Sequence, residues 1–192
     1  DFENANSIVE AKNQFFKYKK EVYELSIPFY IESYNHFKNL DNNFAVSILK
    51  TASEKAKDNP KALKTIAYKF EESGDYEKAK IIYKRLLKIR PGDEQTYRDL
   101  ALIYKENEEY ELAASLYNKI LKNKISNVNV LGLQETIVNE ASHMYWTKAD
   151  KLILTDFPLK TLKTFVPKND WKNFGYDFRI VFDWNDPAVE FN

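Results

Sequence analysis

The chain has 192 residues, of which 44% are hydrophobic and 30% are charged, and 29 basic residues balance 29 acidic ones. This balance argues against a nucleic-acid binder, since neutralising phosphates needs a basic excess. Cysteine is absent, which excludes disulfides and a cysteine nucleophile, and no run of about 18 apolar residues predicts a membrane span.

The first predicted element is an amphipathic helix over 7–25. Its apolar residues recur every three or four positions, which places them on one face of a helix. They are Ile8, Ala11, Phe15, Tyr18, Val22 and Leu25. The chain starts at Asp1 without a basic-then-apolar leader, so we expect it to be an excerpt of a longer protein.

An internal repeat of 34 residues relates segments 60–93 and 94–127. The matched pairs are Leu63/Tyr97, Ile66/Leu100, Ala67/Ala101, Phe70/Tyr104, Tyr76/Tyr110, Ala79/Ala113 and Tyr83/Tyr117. A looser copy spans 26–59. Its residues in the same register are Phe29, Ser33, Ala45, Leu49 and Ala52. A period of this length is typical of stacked helical pairs.

Helix boundaries are also marked in the repeat. Asn59 followed by Pro60 is typical of an N-cap and a first helical position. Gly74 suits the left-handed residue that ends a helix, and Asp75 suits the next N-cap. The alanines at the matched positions fit a close approach of two helices, where only a small side chain has room.

These residues resemble the tetratricopeptide repeat, a family of 34-residue pairs of antiparallel helices. The family's signature positions in 60–93 carry Leu63, Ala67, Phe70, Ala79, Tyr83 and Pro91. Segment 94–127 keeps all of them except the proline, which is replaced by Ile125. The resemblance implies a mainly α fold, a right-handed superhelix of α-α hairpins over 27–122.

A further helix is predicted over 130–148 and would cap the stack, since an array of repeats needs a terminal element. Its apolar residues are Val130, Leu133, Ile137, Ala141 and Met144. It would complete a helical domain over 1–150.

The remaining segment, 151–192, changes character. Phe178, Ile180, Phe182 and Trp184 alternate with polar or small residues, which predicts a strand, and a turn follows at 185–187. We expect a linker and a β-hairpin, the truncated start of a β domain. An unpaired hairpin edge favours self-association.

The run DFRIVFDWNDPAVEFN faintly resembles the opening of an uncharacterised β-rich family that follows tetratricopeptide repeats in bacterial envelope proteins. That resemblance implies a bacterial periplasm or cell envelope, while a cytoplasmic location is also compatible with the sequence.

Catalytic and metal-binding motifs are absent from the sequence. The two histidines, His36 and His143, lie in no HExxH motif, and His36 falls at a packing position of the repeat. No GxSxG, GxGxxG or Walker motif occurs. The acidic residues of 183–190 do not follow the calcium-loop spacing and fit a polar turn. We therefore expect no enzyme activity, no metal and no cofactor.

In the tetratricopeptide family, the first helix of each pair lines a concave peptide-binding groove. The resemblance assigns that groove to Tyr30, Tyr34, Lys61, Lys64, Tyr68, Gln95, Arg98, Leu102 and Lys105. Lys64 matches one residue of the family's carboxylate clamp, whereas Tyr68 replaces its asparagine. The rings of Tyr30, Tyr34 and Phe37 have two interpretations: they bind a ligand, or they pack against the helix over 7–25.

The sequence thus predicts a non-catalytic scaffold that holds a protein or peptide in this groove. Its cations favour a ligand with acidic side chains or a free carboxylate. Two alternatives are a structural linker that positions a downstream β domain and a regulatory segment of a larger enzyme. Burial of the groove tyrosines would favour the linker.

Overall fold

A computed structural model describes residues 5, 7–21, 26–122 and 133–148. Within these ranges the secondary structure is helical and no strand occurs, which confirms the predicted mainly α class. The helices are α1 Ile8–Glu21, α2 Ile27–Phe37, α3 Asn42–Lys55, α4 Pro60–Glu72, α5 Tyr76–Ile89, α6 Glu94–Glu106, α7 Tyr110–Leu121 and α8 Leu133–Thr147. The predicted linker and β-hairpin of 151–192 lie outside the described residues.

The helix starts follow the 34-residue period. Helices α4 and α6 begin at Pro60 and Glu94, and α3, α5 and α7 begin at Asn42, Tyr76 and Tyr110. Helix α1 begins at Ile8, another 34 residues before α3, and so belongs to the same series. The sequence predicts α1 as a helix but gives no reason to place it in the repeat.

One alanine in each helix of this series is buried. Ala11 is 2% exposed, and Ala45, Ala79 and Ala113 have no exposed surface. Interiors are packed to crystal-like density, so a site that accommodates alanine leaves no room for a longer side chain. The recurrent alanines therefore fix which face of each helix is turned inward.

Side-chain caps begin helices α3 to α6. Asn59 and Asp93 accept hydrogen bonds from backbone amides of α4 and α6, at 3.2 and 3.4 Å. Asp41 and Asp75 do the same for α3 and α5, at 2.9 and 3.2 Å. Each cap satisfies an amide that would otherwise lack a partner in the first turn. The N-caps predicted at Asn59 and Asp75 are thereby confirmed.

The described residues fall into two compact units that divide between Ala79 and Lys80. In the first unit, α1 packs on α2 and α3 through aromatic rings. The Phe15 ring lies 5.7 Å from that of Phe29, 6.2 Å from that of Phe37 and 5.5 Å from that of Phe44. Phe15 is 2% exposed, so this cluster is the core at the amino-terminal end of the unit.

In the second unit, α6 packs along α7, and α8 packs on both. The helix predicted over 130–148 is observed as Leu133–Thr147. Its Ile137, Ala141 and Met144 are buried, which confirms the predicted apolar face. None of the described helices combines the length and the apolar character that crossing a membrane would require.

Candidate functional site

Two of the predicted groove residues are buried in the first unit. Tyr30 is 2% exposed and Tyr34 is 1% exposed, and Phe37 has no exposed surface. Of the two interpretations of these rings, packing is correct, and Tyr30 and Tyr34 are not available to a ligand. The physical reason is the aromatic cluster, in which Phe15 of α1 packs against the α2 side chains around them.

Tyr34 also makes a polar contact that the sequence does not reveal. Its hydroxyl donates a hydrogen bond of 3.2 Å to the backbone carbonyl of Lys69 in α4. Burial, with a smaller contribution from the charge of Glu72, raises the pKa of Tyr34 to about 12. Tyr34 therefore joins α2 to α4 as a neutral hydrogen-bond donor.

The groove residues of α4 remain at the surface. Lys61 is exposed, and Lys64 and Tyr68 are half-buried. Their spacing of three, four and seven residues puts the three side chains on one face of α4. We call this set the α4 stripe.

The acidic residue beside the α4 stripe is paired. Glu72 forms ion pairs with Lys38 and with Lys69. Its partial burial alone would raise the pKa of Glu72, but the two lysines together outweigh that effect and lower it. The negative charge of Glu72 is therefore held by lysines of its own unit.

The second unit carries the remaining groove residues on α6. The side chains of Gln95, Arg98, Leu102 and Lys105 are half-buried and lie on one face of that helix. We call this set the α6 stripe. Gln95 donates a 2.8 Å hydrogen bond to the carboxylate of Asp99, which is fully buried.

Arg98 is engaged by a carboxylate of α8. Its Nε donates to both carboxylate oxygens of Glu140 at 3.1 Å, and its Nη2 donates to one of them. The two side chains are 18% and 17% exposed, so the pair is largely shielded from water. The sequence does not predict this partner, because Glu140 lies outside the 34-residue segments and its only signal is its place on the predicted capping helix.

The described residues contain no group of three or more His, Asp or Glu side chains that could hold a metal ion. His36 packs edge-on against Phe37, with ring centroids 4.8 Å apart. That contact fits the packing position assigned to it in the repeat.

Comparison with known proteins gives no relative from which a function could be transferred: the chain matches no family model and no curated protein. Its function has to be inferred from its own residues.

Proposed function

We propose that this chain is a non-catalytic protein–protein interaction scaffold that binds a peptide or a partner domain along its first helices. In this proposal segments 26–59, 60–93 and 94–127 are tetratricopeptide-like hairpins of a right-handed superhelix, and α8 is its capping helix. The observation that carries the proposal is the 34-residue spacing of helix starts together with an alanine buried at the same place in each copy.

The side chains of the two stripes indicate the chemistry of the ligand. Lys61 and Lys64 provide two cations on α4, and Arg98 and Lys105 provide two on α6. Cations complement acidic side chains, and a guanidinium can hold a carboxylate with two hydrogen bonds. Leu102 adds an apolar contact, so an extended acidic peptide with an apolar residue is the ligand we propose.

An array of acidic decapeptides with free carboxyl ends tests this proposal. We expect the wild type to select a subset of the array, and the Lys64→Ala/Arg98→Ala variant to bind that subset roughly thirtyfold more weakly, as for a loss of about 2 kcal/mol at a hot spot. A matched control is Lys88→Ala/Lys119→Ala, which removes two exposed cations from the second helices α5 and α7. Equal binding by both double variants would place the ligand site elsewhere.

A second candidate function is supported by the burial of Tyr30 and Tyr34. A structural linker that positions a following domain needs no open aromatic surface on α2, and these two rings are closed to solvent there. An array that yields no selective peptide for the wild type would favour the linker. Neither function gives the two stripes a catalytic role.

A further inference from the structure

Arg98 is the only arginine among the predicted groove residues, and its guanidinium is the group best suited to hold a ligand carboxylate in two-point contact. In the structure a carboxylate already occupies that position. Glu140 accepts from Nε with both oxygens and from Nη2 with one. A ligand carboxylate that reached Arg98 would have to take the place of Glu140.

The helix that carries Glu140 is held by apolar contacts that do not involve Arg98. Helix α8 packs on α6 and α7 and buries Ile137, Ala141 and Met144. Removing the ion pair leaves these contacts in place. Exchange of one carboxylate for another therefore needs only a change in the side chain of Glu140, while α8 stays docked.

We infer that Glu140 is an intramolecular competitor for the Arg98 site and sets the minimum acidity of a ligand that can bind there. This inference rests on the proposed function. Because Glu140 is tethered beside Arg98, its effective concentration is far above that of a free ligand. A lone carboxylate such as acetate cannot displace it, whereas a peptide that also contacts Lys105 and Leu102 can.

The test uses a fluorescein-labelled hexaglutamate peptide as the probe, with binding followed by fluorescence anisotropy. We expect Glu140→Gln to bind the probe roughly tenfold more tightly than the wild type, because the neutral amide no longer competes. The matched control is Glu111→Gln, which removes the charge of an exposed carboxylate on α7 and should leave the affinity within about twofold of the wild type. In an Arg98→Gln background, Glu140→Gln should have no effect.

A second variant and a second measurement separate competition from loss of folding. Glu140→Asp withdraws the carboxylate by one methylene and should give an intermediate affinity. Amide hydrogen exchange at Met144 should be as slow in Glu140→Gln as in the wild type. Fast exchange there would mean that α8 has come away, which would overturn the competitor role.

The failures of this inference and of the proposed function are distinguishable. If Arg98→Gln weakens probe binding while Glu140→Gln matches the Glu111→Gln control, acidic ligands do bind Arg98 and the competition is wrong. If the probe binds no variant selectively, the acidic-ligand groove is wrong and the competition fails with it. Tighter binding by Glu140→Gln that depends on Arg98 supports both.

Discussion

Gly74 and Glu108 lie 34 residues apart and adopt the same left-handed backbone conformation, with φ of 76° and 60°. Each follows a first helix of the repeat, α4 or α6, and each donates its amide to the carbonyl three residues earlier, at 2.9 and 3.0 Å. The next amide in each case reaches five residues back, to Phe70 and to Tyr104, at 2.9 and 2.8 Å. This is the Schellman arrangement, and glycine adopts it without the steric cost that a side chain carries.

The first prediction concerns that steric cost at Glu108. Glu108→Gly should stabilise the protein by roughly 1 kcal/mol, because glycine tolerates the positive φ. Gly74→Ala should destabilise it by a similar amount, although no atom lies within 4 Å of the added Cβ. Urea unfolding at neutral pH measures both changes.

Glu108→Ala is the control, since it removes the carboxylate but keeps a Cβ at the strained position. It should not reproduce the gain of the glycine variant. If it does, the charge of Glu108 and not its backbone conformation limits stability there.

The second prediction concerns the buried alanines. Ala113→Leu should cost about 1–3 kcal/mol, because the added carbons have no space at a position with no exposed surface. Ser115→Leu on the same helix is the control, since Ser115 is exposed and its substitution should stay within about 0.5 kcal/mol of the wild type. Equal urea midpoints for the two variants would mean that the alanine does not mark a close contact.

The third prediction concerns the packing of α1. Phe15→Ala should cost about 3–5 kcal/mol, since it empties the centre of the aromatic cluster. Phe15→Leu introduces the residue found 34 positions later, at Leu49, and should cost much less. Val9→Ala is the control because Val9 is 64% exposed. Thermal unfolding that is unchanged in Phe15→Ala would show that α1 does not pack on α2 and α3.

The fourth prediction concerns pH. The hydrogen bond from Lys12, followed by that from the Phe44 amide, holds the pKa of Asp41 below its ordinary value. A carboxylate with a lowered pKa contributes stability above the pKa of the unfolded chain, about 3.9, and loses it as the pH falls through the folded value. Asp41→Asn should therefore be less stable than the wild type at pH 7, and the difference should narrow below about pH 4.

Asparagine keeps the capping oxygen, so this variant isolates the charge. Urea midpoints across that pH range are the measurement. Glu54→Gln, at an exposed carboxylate of α3, should leave the pH profile unchanged. Parallel profiles for Asp41→Asn and the wild type would contradict the role of the Lys12 pair.

The helices of the repeat could be predicted from the sequence because their signals are local. Asn59, Gly74 and Asp75 mark boundaries by side-chain and backbone chemistry that acts within one turn. Ala79 and Ala113 mark the buried face, since a small residue that recurs at a fixed offset indicates a close approach of two helices. The place of α1 in the series is visible in Ala11 only after the helix bounds are known.

The contacts of the candidate site could not be predicted to the same extent. The spacing of Tyr34 and Arg98 gives the face of the helix on which each lies, but not which neighbour covers that face. Tyr34 is buried because α1 and α4 supply its surroundings, and Arg98 is paired because α8 brings Glu140 to it. Partners of this kind depend on tertiary packing between segments that the repeat pattern does not relate.

The buried face of α5 restricts how the length of this chain can change. Ala79, Ile82, Tyr83 and Leu86 are all buried along that helix. One residue inserted in its middle would rotate everything after it by about 100° about the helix axis and turn Leu86 outward. An insertion in the turn over 56–59 would leave every helix in register. Loops and whole 34-residue segments are therefore the units in which such a chain can lengthen or shorten without disturbing its core.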